Sequence, residues 1–163
     1  VHARGASVSF LSPGHDRLAG LRLTRQFPLA TWYRLLIPDL LPERMERVLY
    51  LDTDILVNTP IGELWRTELG DDYAAARLST LGTVANSRIS ESEELRGRSH
   101  EPYFNAGVLL MNLAALRRDG VMERALDFGR RYPHLTVWGD QDALNAVCVG
   151  RWRPLAARWS ARW

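Results

Sequence analysis

At 163 residues and 46% apolar content, the chain suits a single soluble globular domain. A net charge of only +2 argues against a dedicated nucleic-acid binder, and all 21 basic residues are arginine, which excludes chemistry that needs a lysine from this chain. The single cysteine, Cys148, excludes an intramolecular disulfide and favours a reducing compartment, and no apolar run reaches the ~18 residues that span a bilayer.

The first residues carry neither a signal-peptide pattern nor an initiator methionine, as a fragment with a missing start would. Residues 6–11 alternate as a short strand. Residues 12–16 have turn chemistry, and 17–25 suit a second turn or short helix. Residues 28–37 read as a helix begun by Pro28 and closed by Pro38. Arg34 is the lone charge in the apolar run 32–37. A buried helix requires an anionic partner for it; a packed stem with its head snorkelling to water is the alternative.

Residues 48–51 form a short apolar run, the pattern of a strand buried on both faces, and lead into Asp52-Thr53-Asp54. Strand residues two apart share a side. Two carboxylates on one side of a buried strand end are costly without a cation between them. Hard oxygen ligands of this kind suit Mn²⁺ or Mg²⁺. A strand-to-loop turn with two solvated aspartates fits the same spacing.

Residues 59–65 read as a turn and short helix, and 73–78 as a strand. The polar stretch 79–101 reads as a mobile surface loop with one helical turn, either a binding lid or a solvated excursion. Residues 108–111 are a second buried strand, preceded by Asn105, Ala106 and Gly107. Small residues there let a ligand approach the backbone; an ordinary turn is the other reading. Asn112 can cap a helix over 113–118, and an amphipathic helix from Val121 stops before Pro133. Asp140 is placed to cap a third helix and Asp142 to complement its positive start, whereas Gln141 has no such structural account. The tail 151–163 interleaves arginines with Trp152, Trp159 and Trp163. It reads as a final strand with tryptophan wedges, or as a membrane-surface or single-strand-binding element.

Alternating strands and helices imply an α/β domain, which binds ligands outside the carboxyl ends of its strands. Four stretches in order, 31–35, 48–57, 104–112 and 140–145, resemble glycosyltransferase family 8, the glycogenin-like and lipopolysaccharide galactosyltransferase-like enzymes. The resemblance implies a GT-A type nucleotide-diphospho-sugar transferase fold, a Rossmann-like mixed sheet flanked by helices. It implies one partial catalytic domain over 1–163, incomplete at both ends. The family's first strand is expected before residue 1, and a His-x-x-Gly-x-x-Lys-Pro-Trp type motif after Trp163.

The implied activity is retaining, metal-dependent transfer of a hexose from a UDP-sugar donor to a glycan, lipid-linked sugar, lipopolysaccharide-type or protein acceptor. The implied location is the cytoplasm, with peripheral contact at the inner membrane face, and no nucleic acid is expected as a partner. Asp52 and Asp54 would hold Mn²⁺ or Mg²⁺, with Asp54 the direct ligand. Arg34 and Asp52 would bind the donor, Asn105, Ala106 and Gly107 would line the sugar site, and Asp140 would hydrogen-bond the sugar. Gln141 would lie near the anomeric carbon, so Gln141 and Asp140 are the catalytic candidates. Two other readings compete. A non-catalytic nucleotide-sugar or glycan binding module fits the missing ends. A haloacid dehalogenase type phosphatase also uses Asp-x-Asp after an apolar strand, but here Leu56 replaces the expected Thr or Val and no lysine follows.

Overall fold

The computed structural model describes residues 7–160. Residues 7–11 are exposed and form no strand, contrary to the alternation of 6–11; Ala6 lies outside the described residues. Helical turns follow: α1 (Leu29–Trp32) passes through a 3₁₀ turn (Tyr33–Leu36) into α2 (Ile37–Leu40). The expected stop at Pro38 does not occur. Pro38 sits in the first turn of α2, where its missing N–H has no intrahelical acceptor to lose.

The sheet is built from β1 (Arg47–Leu51), β2 (Ala74–Thr83), β3 (Pro102–Asn112) and β4 (Trp152–Pro154), in the order β1-β3-β2-β4. β3 runs antiparallel to β1 and β2, and β4 is parallel to β2. The ends of β1, β2 and β4 therefore share one edge with the start of β3. β3 is the apolar run that is buried on both faces: Leu109 and Met111 enter the larger core, Val108 and Leu110 the smaller one. β1 carries a similar run but is half-buried along its length. It is an edge strand, paired with β3 alone among the described residues.

Short α3 (Gly62–Trp65) helps close the smaller core through Leu64. On the other face, α4 (Leu113–Arg118), α5 (Val121–Arg131) and α6 (Asp140–Cys148) cover the larger core. Asn112 caps α4 as expected, accepting from the Ala115 N–H at 3.1 Å, a contact worth about 1 kcal/mol. α5 buries the apolar face formed by Val121, Met122, Ala125, Leu126 and Phe128. In the tail, Trp152 meets Phe104 edge-on at 5.2 Å and Trp159 packs on the smaller core, while Trp163 lies outside the described residues.

The segment 79–101 is packed, not a mobile loop. β2 continues to Thr83, and three 3₁₀ turns follow, Val84–Asn86, Arg88–Glu91 and Glu93–Leu95. Each turn contributes one buried residue to the larger core: Val84, Ile89 and Leu95. No helix among the described residues is long and apolar enough to cross a membrane.

Candidate active site

Strand alternation is not what brings the two aspartates together. β1 ends at Leu51, and residues 52–55 form a turn in which the Asp52 carbonyl accepts from the Ile55 N–H at 3.1 Å. The Asp52 N–H donates to the Gly107 carbonyl at 2.9 Å, pinning the turn to β3. Asp52 and Asp54 then line one cleft of about 340 Å³ with Arg34, Ala106, Gly107, Asp140 and Gln141. Ala106 and Gly107 lie inside β3, not before it, at a bulge where Ala76 pairs with Leu109 but Arg77 with Asn105. Any larger residue at Gly107 would displace the cleft side chains: a Cβ there would sit 2.9 Å from Asp52 Oδ2 and 3.2 Å from Asn105 Oδ1.

Arg34 has the anionic partners that a buried helix demands. It is 7% exposed; its Nη1 donates to the Ala106 carbonyl at 2.5 Å and its Nη2 lies 3.1 Å from Asp52 Oδ1. Its Nε lies 2.5 Å from Asp140 Oδ2. The guanidinium also stacks over Tyr50 at 4.5 Å, and the Tyr50 hydroxyl donates to Asp52 Oδ1 at 2.7 Å. One cation thus ties α1–α2, β1, β3 and α6 together at the cleft floor.

Asp140 does not cap α6. Gly139 occupies the N-cap position with φ +58°, a conformation that favours glycine. Asp140 is the first helical residue, and its carboxylate turns to Arg34 instead. It is 2% exposed, and its Oδ2, though close to Arg34 Nε, lies off the N–H direction and accepts no hydrogen bond. Burial pushes the Asp140 carboxyl up to about 7, against the pull of the Arg34 cation. A carboxyl raised in the folded state binds protons there that the unfolded chain has released. Its stabilising contribution is complete below about pH 4 and is lost as pH rises through about 7. The chain should therefore melt at a lower temperature at pH 8 than at pH 5.5, and Asp140→Asn should flatten that slope. An unchanged slope in thermal melts of the variant would show that the carboxyl is not raised.

Gln141 is held at both ends of its amide. Its Oε1 accepts from the Ala106 N–H at 3.0 Å and from Asn105 Nδ2 at 3.4 Å, while Nε2 donates to the Tyr103 hydroxyl at 3.2 Å. Asn105, expected to line the sugar site, is not a cleft-lining residue. It sits beside Gln141, and its Oδ1 accepts from the Gly107 N–H at 3.1 Å.

Asp54 is exposed and makes no hydrogen bond or ion pair among the described residues. No group of three His, Cys, Asp or Glu side chains that could hold a metal occurs among them. Two carboxylates nevertheless fit a hard cation of the Mg²⁺ type, which is held by one or two carboxylates and completes its shell with water and substrate phosphates.

The family model described as "Glycosyl transferase family 8" matches residues 6–162. This chain belongs to glycosyltransferase family 8. General stress protein A of Bacillus subtilis is 32% identical over 97% of this chain and 54% of its own length. A lipopolysaccharide 1,3-galactosyltransferase of Salmonella typhimurium is 30% identical over 85% of this chain and 41% of its own. The crystal structure of the galactosyltransferase LgtC with donor and acceptor sugar analogues superposes with a TM-score of 0.79 at 30% identity. That match covers 94% of this chain and 54% of LgtC, so the chain has the GT-A type fold and spans about half the length of the relatives it matches.

Within this family 8 site, the sequence reading missed the residues behind the cleft. Asp142, read as a complement to the helix start, is fully buried and accepts three hydrogen bonds, from Ser87, Tyr103 and the Trp138 N–H. Asn145 binds β3 through both ends of its amide: Oδ1 accepts from the Phe104 N–H and Nδ2 donates to the Phe104 carbonyl. Asp142 and Asn145 stand three apart on one helix, polar positions on a face that meets β3, and that spacing was the available signal.

Proposed function

We propose that the protein is a metal-dependent retaining hexosyltransferase that moves a sugar from a UDP-sugar to a glycan, lipid-linked sugar or protein acceptor, with residues 1–163 as part of its catalytic domain. The observation that carries this reading is the convergence of Asp52, Asp54, Arg34, Asp140 and Gln141 on one cleft at the ends of the strands. The relatives named for lipopolysaccharide galactosyl transfer and the LgtC complex with donor and acceptor sugar analogues support it.

Asp54 and Asp52 hold the metal, Mn²⁺ or Mg²⁺, which when bound supplies positive charge to the departing diphosphate. Arg34 keeps Asp52 and Asp140 at a fixed separation and adds positive charge to the cleft floor. Asp140 Oδ2, buried without a donor, accepts a hydroxyl of the donor sugar. Gln141 is a neutral amide whose Oε1 already accepts two hydrogen bonds. It is a weak nucleophile, and its carbonyl dipole suits stabilising positive charge at the anomeric carbon. At the rim, Phe27 and Trp138 meet edge-on at 6.0 Å, and flat apolar rings of this kind suit the C–H face of a pyranose.

The full-length protein, given Mn²⁺ and a panel of UDP-hexoses, is expected to release UDP slowly with water as acceptor and faster with sugar acceptors. Release from none of the donors defeats the proposal. UDP binding by calorimetry without release would favour a binding module. The phosphatase reading has no comparable support, since the family match runs through the whole Asp52–Asp54 region.

A further inference from the structure

Behind Gln141 runs a buried chain of contacts that the proposed reaction leaves without a role. Tyr103, on β3, has no exposed surface, and its hydroxyl donates to Asp142 Oδ1 at 2.7 Å. Ser87, from the packed 3₁₀ segment, donates to the same oxygen at 2.8 Å. The Trp138 N–H donates to Asp142 Oδ2 at 2.7 Å. A phenol has one proton, and Asp142 Oδ1 is the acceptor that it meets. The Tyr103 proton therefore goes to Asp142, and a lone pair of the phenol oxygen is left facing Gln141. Only the NH₂ end of the Gln141 amide can meet that lone pair, which it does at 3.2 Å. The carbonyl end is thereby turned to the Ala106 N–H. With the amide reversed, NH₂ would oppose the Ala106 N–H, donor against donor.

We propose that Tyr103 and Asp142 are positioning residues that fix which end of the Gln141 amide faces the cleft, and that Ser87 couples this setting to the 84–95 segment. The inference rests on the transferase reading for its consequence, since the amide end presented to the reacting carbon decides whether its dipole favours positive charge there. Tyr103, Asp142 and Ser87 are buried, so loss of either hydroxyl leaves Asp142 short of a donor that water does not replace.

The test uses the full-length protein with Mn²⁺ and UDP-galactose or UDP-glucose as probes, reading UDP release. Tyr103→Phe keeps the ring and removes the hydroxyl. Its kcat is expected to fall about tenfold while the donor KM stays within about twofold. Both a positioning and a merely structural tyrosine would lower the melting temperature, but the merely structural one would leave kcat unchanged well below it. Ser87→Ala, which touches no ring, should lower kcat about threefold, with Ser87→Thr restoring it. A readout independent of turnover is the Gln141 side-chain amide pair in ¹⁵N NMR, assigned by its loss in Gln141→Glu. Both signals should shift in Tyr103→Phe and in Ser87→Ala. Wild-type kcat with unmoved amide signals in Tyr103→Phe overturns the relay, and the same result in Ser87→Ala does so if Tyr103→Phe fails to fold. A wild-type protein that releases no UDP overturns the transferase reading instead, and the amide signals then decide the relay by themselves.

Discussion

Asp54→Ala is expected to lose sugar transfer by about a thousandfold or more, equal to about 4 kcal/mol of transition-state stabilisation, without lowering the melting temperature. The separation of the two effects follows from the site. Asp54 is exposed and has no partner among the described residues, so its removal disturbs no packing and leaves no buried group unpaired. Its neighbour behaves differently. Asp52 also holds Arg34 and accepts from Tyr50, so Asp52→Asn should lose both activity and stability. Thermal melts with and without Mn²⁺ provide the check: wild type should gain stability with the metal, and Asp54→Ala should not. Chelation should bring wild type down to the level of the variant and do nothing further to the variant. Retention of more than a tenth of wild-type UDP release in Asp54→Ala would remove it from the metal site.

What could be read from the sequence was whatever a local pattern determines. α5 was legible because its apolar period is long and the residues that bound it, Gly120 and Pro133, are unambiguous, whereas only the apolar run 108–111 of β3 was legible. Asn112 was legible because a cap needs only a residue and its position. Where the outcome depends on distant neighbours, the pattern misleads. Residues 48–51 resemble 108–111 in composition, yet one run is an edge strand and the other the centre of the sheet, a difference set by which strands flank them. Val84, Ile89 and Leu95 are spaced five and six apart, which fits neither helix nor strand, so a packed segment read as solvated. Asp140 satisfied the rule for a cap, but a buried arginine 106 positions earlier in the chain competed for it and won. The cleft residues were found because chemistry singles them out: paired acids, a lone cation and an unexplained glutamine. Tyr103 and Ser87 were not, because a hydroxyl in a strand or a loop carries no signal until the partner it faces is known.

Arg34→Ala is expected to destabilise the chain by about 3–5 kcal/mol, the range for leaving a buried charge without its partner. For a domain of this size that corresponds to a fall of about 10 °C in Tm. The cause is double: the Ala106 carbonyl loses its donor, and Asp52 and Asp140 are left facing one another without the cation between them. The pH dependence separates this from simple loss of packing. Arg34 holds the Asp140 carboxyl down against burial, so in its absence Asp140 takes up a proton at higher pH. A protonated Asp140 needs no counter-ion. The gap in Tm between wild type and Arg34→Ala should then narrow as the pH falls from 8 towards 5, whereas a cavity alone would leave it constant. Arg34→Lys keeps the charge but lacks the planar fork that reaches Asp52, Asp140 and Ala106 at once, so it should recover only part of the loss. A pH-independent gap, or full recovery by lysine, would mean that the side-chain stem, not the charge it carries, is what the cleft floor requires.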